Sequence, residues 1–286
     1  MTAAIRKYYL LTKPGIIYSN SITNAAGFFL AAQGNINFLL LLAAIAGLAF
    51  IMAGACVFNN YIDRGIDSKM ERTKKRALAV GKISEKNALI YATVLTIFGT
   101  AALSFTNLLA VTIALLGVFF YVVVYGIAKR RSVHGTIVGS ISGAVPPVVG
   151  YVAAGNSLDL GALILFLILV VWQMPHFYAI AIFRKNDYAA AKLPVLSVVK
   201  GIKETKIQIL IYIIIFAGAT SLLTIFKFTG FTYLVIMLTF CLIWFGIGVK
   251  GFKTKDENRW AKKMFGFSLL TLVIFSIMIS LSIVLP

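Results

Sequence analysis

Residues 37–76 read NFLLLLAAIAGLAFIMAGACVFNNYIDRGIDSKMERTKKR, an apolar run through Phe58 followed at once by three carboxylates and six cationic side chains. The apolar part is long enough to cross a bilayer as helix, for which about 20 residues suffice. In the charged part, Asn59, Asp63, Asp67 and Glu71 recur every four residues. Four residues advance an α-helix by about 400°, so the four side chains form one slowly drifting stripe. The stretch therefore predicts a membrane helix whose end carries an acidic face, which is a candidate metal site.

Working outward, the whole chain has the same apolar character. Its 286 residues are 60% hydrophobic and 13% charged, with a mean hydropathy of +0.94, a balance foreign to water-soluble domains of this length. Nine apolar segments are marked, at about 15–33, 37–58, 88–106, 108–128, 135–154, 160–183, 207–226, 231–249 and 264–285, each near the length needed to span as helix. The expected fold is all-α, a polytopic membrane bundle of nine helices in a single intramembrane domain, 1–286. The N-terminal MTAAIRKYYLLTKPG lacks the apolar core and small-residue cleavage site of a secretory signal, so the first span is expected to be retained.

A net charge of +18 raises the question of nucleic acid, and the placement of the 27 Lys and Arg answers it. All but Lys227 fall in the N-terminal arm and in the connections after even-numbered spans. That is the positive-inside pattern, which places the N-terminus and those connections in the cytoplasm and needs no polyanionic partner. Two cytoplasmic connections are long, about 59–87 and 184–206, and long loops tend to carry function. Each follows an even span, which hints at a duplicated four-helix arrangement. Cys56 and Cys241 lie inside apolar spans, too few and too separated for a zinc site or disulfide framework. In the fifth span, GTIVGSISGAVPPVVGY, the small residues suit close helix approach, and Pro146 with Pro147 should kink or break it.

Carboxylates at the end of an apolar span are costly unless paired or metal-bound. Asp63 and Asp67 with the amide oxygen of Asn59 form a hard oxygen set suited to Mg²⁺, which completes its shell with water and phosphate oxygens. The implied ligand is a diphosphate. Arg72, Lys74, Lys75 and Arg76 follow within one or two turns and are able to neutralise phosphate oxygens. The bland alternative is a solvated loop that only enforces topology. The later loop, FRKNDYAAAKLPVL, sets Asp187 among Arg184, Lys185, Tyr188 and Lys192, a weaker version of the same signal. Tyr125 and Lys129, one helical turn apart in YGIAKRR, share a face. His176, in VWQMPHFYAI, stands within span six beside Pro175, Trp172, Gln173, Phe177 and Tyr178. That wall is polar and aromatic at membrane depth, which makes His176 a candidate for a substrate pocket or a haem ligand, or a packed imidazole. His134 borders a basic turn and reads as interfacial.

The NxxxDxxxD spacing of Asn59, Asp63 and Asp67, followed by KMERTKKR, resembles the first signature of UbiA-type intramembrane prenyltransferases. Four stretches in order, 55–76, GSISGAVPPVVGY (139–151), WQMPHFYAIAIFR (172–184) and DYAAAKLPVL (187–196), are similar to the haem-modifying branch of that family. The resemblance implies a helical bundle around a central lipid-accessible cavity in a bacterial inner membrane, with the site toward the cytoplasm. It also implies Mg²⁺-dependent ionisation of farnesyl diphosphate, transfer of the farnesyl group to a vinyl of haem B and addition of water, giving haem O. Hand-over of product to another haem-modifying enzyme or a terminal oxidase is a further implication.

Carried over by position, Asn59, Asp63 and Asp67 match the first metal–diphosphate motif. Asp187 matches the first acid of the second, and Tyr125 with Lys129 the pair that contacts diphosphate. Catalytic roles then fall to Asp63, Asp67, Arg72 and Lys129. Substrate contacts fall to Asn59, Arg76, Tyr125, His176, Arg184, Asp187 and Tyr188, and metal ligation to Asn59, Asp63, Asp67 and Asp187. Where the wider family often has a second acid four residues after Asp187, this chain has Ala191, a lack the haem-modifying branch shares. Glu71 falls outside the motif and is expected to be an ion-pair partner. Two other readings remain: an aromatic acid or quinone precursor as acceptor, and a transporter, since polar helix breaks also describe a substrate path.

Overall fold

The computed structural model describes residues 3–155 and 157–284, and among them it contains helices and no strand. A short helix α1 (Ala3–Leu11) precedes α2 (Pro14–Ala32), α3 (Phe38–Asp67) and α4 (Glu85–Leu103). The next span is α5 (Leu108–Phe119), a π-helical turn (Phe120–Val124) and α6 (Tyr125–Arg131) in direct succession. Then come α7 (Gly135–Gly143), α8 (Val145–Gly155) and α9 (Leu160–Phe183), followed by short α10 (Lys185–Ala190) and α11 (Leu196–Val199). The chain closes with α12 (Gly201–Ile225), α13 (Phe231–Lys250) and α14 (Glu257–Ser280). Eight helical segments are long and apolar enough to cross a membrane, counted among the described residues. Helix α2 is the remaining candidate of the nine: its 19 residues suffice in length, but Ser19, Asn20, Ser21, Thr23 and Asn24 lower its apolarity.

The helix starts are written in the sequence. Asn37, Ser84, Asn107, Asp159 and Asp256 each accept backbone N–H groups of the turn they open, as in Asp159 Oδ1 to Gly161 N at 2.8 Å. Each such cap is worth about 1 kcal/mol. Asn107 also donates to the Val152 carbonyl at 2.9 Å and so ties the start of α5 to α8.

Helix α9 is the most enclosed span, 67% of its apolar window being buried against 22% for the α5–α6 span. It packs against α12, α14, α7 and α8, while α3 lies along α4 and α2 along α8. The α2–α8 approach is as close as backbone allows. A Cβ placed on Gly27 would stand 2.0 Å from the Pro147 carbonyl oxygen, and one on Gly150 1.8 Å from that of Asn24. The expected break in the fifth span falls at Ala144, between α7 and α8. Side-chain amides from neighbouring helices bind carbonyls on either side of it: Asn24 Nδ2 donates to the Pro146 carbonyl at 3.0 Å, and Gln173 Nε2 to that of Ser140 at 3.0 Å. This is how irregular backbone is tolerated at membrane depth.

Two loop boundaries differ from expectation. Residues 59–67 continue α3 instead of opening the loop, because the buried acidic stripe is itself helical and is held by partners across the bundle. The second long connection is largely helical too, as α10, α11 and the first turns of α12. At its end, buried Lys206 donates to the Gly251 carbonyl (2.6 Å) and to Glu257 Oε1 (2.7 Å), clasping α12 to the turn before α14.

Candidate active site

The last turns of α3 bury Asn59, Asn60, Asp63 and Asp67, each no more than 8% exposed. Buried carboxylates persist only with compensation, and each has it. Asp63 receives Lys129 of α6 on Oδ2, the Asn59 amide at 3.0 Å on the same oxygen, and Arg130 at 3.1 Å on Oδ1. Arg130 also donates to the Ile62 carbonyl at 2.8 Å, which fixes the register of α6 against α3. Asp67 receives Arg76 at 2.7 Å, and the same guanidinium nitrogen lies 3.2 Å from Asn60 Oδ1. Arg76 comes from the loop after α3, which folds back because Thr73 Oγ1 donates to the Asp67 carbonyl at 2.9 Å.

The π-helical turn bears on Lys129. Its widened loop closes with the Tyr125 N–H on the Phe120 carbonyl, which resets the phase of the helix just before Tyr125. Tyr121 and Tyr125 then stack at 5.9 Å, and the Lys129 ammonium lies 5.1 Å above the Tyr125 ring. The expected common face of Tyr125 and Lys129 is present.

Lys13 was not among the expected site residues. It sits before Pro14 in left-handed backbone (φ 54°), and its ammonium donates to Asn59 Oδ1 at 2.6 Å and to the Tyr121 hydroxyl at 3.4 Å. Burial pushes its pKa down to about 8; the charges of Arg76 and Lys129 reinforce this, and that of Asp63 opposes it. Arg130 was likewise missed. The signal for Lys13 was a cation placed directly against the proline that starts the first apolar segment.

On the opposite loop, Asp187 Oδ1 accepts the Glu71 N–H at 3.1 Å, and Arg184 stands 3.9 Å from Oδ2. Tyr188 is beside them: burial raises its phenol, the charge of Arg72 opposes that rise, Asp187 adds to it and Arg184 opposes it. Arg72 is exposed and has no carboxylate partner among the described residues. Glu71 pairs with Lys74 at 2.6 Å, as expected of it. Ala191 is buried with Met70 and Leu193 in a small apolar seam between the two loops, flanked by Ile66 and Tyr188. Ala191 is thus a packing position in this chain.

Among the described residues no three His, Cys, Asp or Glu side chains converge as a ready metal cluster. The donor chemistry nevertheless fits a hard divalent ion, because the stripe offers only carboxylate and amide oxygens. Those oxygens are buried and paired with Lys129, Arg130 and Arg76, so a bound cation would share or replace these partners.

His176 lies elsewhere on the bundle. It is about 10 Å along α9 from the helix end, packed against α14 and not among the cations. Its ring is 4.9 Å from Trp172, 4.8 Å from Phe265 and 5.1 Å from Phe177, and Nδ1 is 2.7 Å from Ser268 Oγ. His134 is exposed at the start of α7, and both cysteines are buried thiols. A groove of about 600 Å³ lined by Ile113, Val148, Asp159 and Phe166 is apolar and holds none of the stripe residues.

The profile of the UbiA prenyltransferase family matches residues 21–272. Protoheme IX farnesyltransferase from Protochlamydia amoebophila is 52% identical over 98% of this chain and 99% of its own. The protein of the same name from Pseudomonas syringae is 50% identical over 97% and 95%. Among solved structures, a digeranylgeranylglyceryl phosphate synthase superposes with a TM-score of 0.79 at 19% identity, covering 99% of both chains. A UbiA homolog from Archaeoglobus fulgidus bound to GPP and Mg²⁺ superposes with a TM-score of 0.68 at 16% identity, covering 96% of this chain and 99% of that one.

Proposed function

The chain belongs to the UbiA prenyltransferase family, and from that premise we propose that it transfers a farnesyl group from farnesyl diphosphate to a vinyl of haem B, with addition of water, to give haem O. The observation that carries the acceptor is the roughly half identity, over nearly the whole length, to relatives named for that reaction. Membership in a prenyltransferase family sets the transporter reading aside.

The donor half of the reaction follows from the charges. Breaking the allylic C–O bond leaves a farnesyl cation and places negative charge on the departing diphosphate, so the site must hold positive charge in advance. Asn59, Asp63, Asp67 and Asp187 would hold Mg²⁺, which supplies such charge to the diphosphate oxygens. Lys129, Arg130, Arg76 and Lys13 surround the stripe, and Arg72 and Arg184 approach from the loops. Tyr125 and Tyr188 offer hydroxyls to the same group. Lys13, Lys129 and Arg76 are held against the stripe before substrate arrives, whereas exposed Arg72 is free to close onto the diphosphate.

The acceptor half needs exclusion of bulk water until the carbon–carbon bond forms. The terminal vinyl carbon attacks the farnesyl cation, charge moves to the carbon beside the macrocycle, water adds there, and one proton leaves. The haem ring is proposed to lie among the α9 and α14 aromatics with its propionates toward the cytoplasmic cations. The proposed orientation, with the donor site at the cytoplasmic face, is supported by the positive-inside distribution, and the proposed location in a bacterial inner membrane by the bacterial relatives.

Diphosphate release from farnesyl diphosphate by the purified protein tests the reading. Release is expected with haem B, absent with an aromatic acid acceptor, and abolished by EDTA. Release that follows the aromatic acid would replace the acceptor.

A further inference from the structure

We propose that His176 binds the iron of the haem substrate through Nε2, and that Ser268 is the positioning residue that fixes this choice of nitrogen. The inference rests on haem being the acceptor. The argument turns on a single hydrogen. Ser268 Oγ lies 2.6 Å from the Phe265 carbonyl oxygen, a separation that two oxygens adopt only with a hydrogen between them. The carbonyl has none, so the serine hydroxyl donates there. The same Oγ lies 2.7 Å from His176 Nδ1, and the serine's one hydrogen is spent. Nδ1 must therefore carry the proton, which leaves the lone pair of the neutral imidazole on Nε2.

Nε2 has no hydrogen-bond partner among the described residues, and it is not among the fully buried polar atoms lacking one, so it keeps accessible surface. The ring around it cannot turn freely. Trp172 stacks on it, Phe265 and Phe177 flank it, and the Trp172 indole N–H donates to the Ser268 carbonyl at 3.0 Å, joining α9 to α14 at the same residue. An imidazole whose Nδ1–H is anchored and whose Nε2 is free has the arrangement usual for a metal-ligating histidine. Coordination moves no proton: the Nε2 lone pair enters the iron's axial position and Nδ1 keeps its hydrogen. The flanking rings offer the apolar surface that a macrocycle requires.

The test is resonance Raman spectroscopy of ferrous haem B bound to the full-length protein in detergent, with farnesyl diphosphate binding measured in parallel as a check of fold. Wild type and His134→Ala are expected to show an iron–histidine stretching band. His176→Gly should lose it and regain an iron–imidazole band on adding imidazole. Ser268→Ala should weaken haem binding by roughly tenfold or more, while Ser268→Thr, which keeps the hydroxyl, stays near wild type. A band that persists in His176→Gly, or no band in a wild-type enzyme that still farnesylates haem, overturns the ligation and leaves the acceptor standing. A wild-type protein that neither binds nor modifies haem overturns both.

Discussion

Asp63 gathers a lysine, an arginine and an amide onto one buried carboxylate, so the consequences of removing its charge separate chemistry from stability. Asp63→Asn is expected to abolish diphosphate release and also to lower the unfolding free energy by about 3 kcal/mol, because Lys129 is left buried beside a neutral group. Adding Lys129→Met should recover much of the stability and none of the activity, read by thermal melts alongside turnover. Lys13→Met is expected to raise the KM for farnesyl diphosphate by roughly tenfold, the worth of a charge-assisted hydrogen bond, without changing haem affinity. The stripe was legible because Asn59, Asp63 and Asp67 repeat at helical spacing where an apolar run ends. Lys13, Arg130 and Ser268 were not, since their partners are 46, 67 and 92 residues away and nothing in local spacing encodes such meetings.

The π-helical turn between α5 and α6 holds Tyr121 and precedes its stacking partner Tyr125 and Lys129, and the proposed donor site is predicted to depend on it. Deleting Val123 should restore regular α-helix there and swing Tyr121 about 100° relative to Tyr125 and Lys129. The expected result is a folded protein, by circular dichroism, with turnover reduced at least a hundredfold; wild-type turnover would show that the turn is incidental. At the α2–α8 crossing, Gly150→Val should cost about 1–3 kcal/mol by forcing two backbones apart, detectable as a lowered melting point in detergent. Most long helices could be read from apolar run length, and the break near Pro146 from its prolines. The π turn could not, because FYVVV is equally compatible with an unbroken α-helix. The boundary at Asp67 was obscured for a related reason: hydropathy ends a span at its first charges, whereas partners across the bundle keep this helix buried for two more turns.

For the molecule as a whole, the side on which the acidic stripe lies rests on the distribution of lysine and arginine. Because Cys56 and Cys241 are buried, single cysteines at Phe105 and Lys255, both exposed, should report orientation in intact cells. The first is expected to react with a membrane-impermeant thiol reagent once the outer membrane is opened, and the second only after lysis; the reverse pattern would invert the protein. The general architecture was legible from hydropathy and charge. The acid-and-cation stripe and the aromatic wall around His176 were both legible in the sequence; what the packing added is the α14 side of that wall, Phe265 and Ser268, and under the proposed function the two regions divide donor from acceptor. That division predicts a product, and mass analysis of haem B after incubation with the purified protein, farnesyl diphosphate and Mg²⁺ reads it directly. A haem heavier by one farnesyl group and one water, formed by wild type and absent with Asp63→Asn, is the predicted result. Unmodified haem from an active, diphosphate-releasing enzyme would contradict the account.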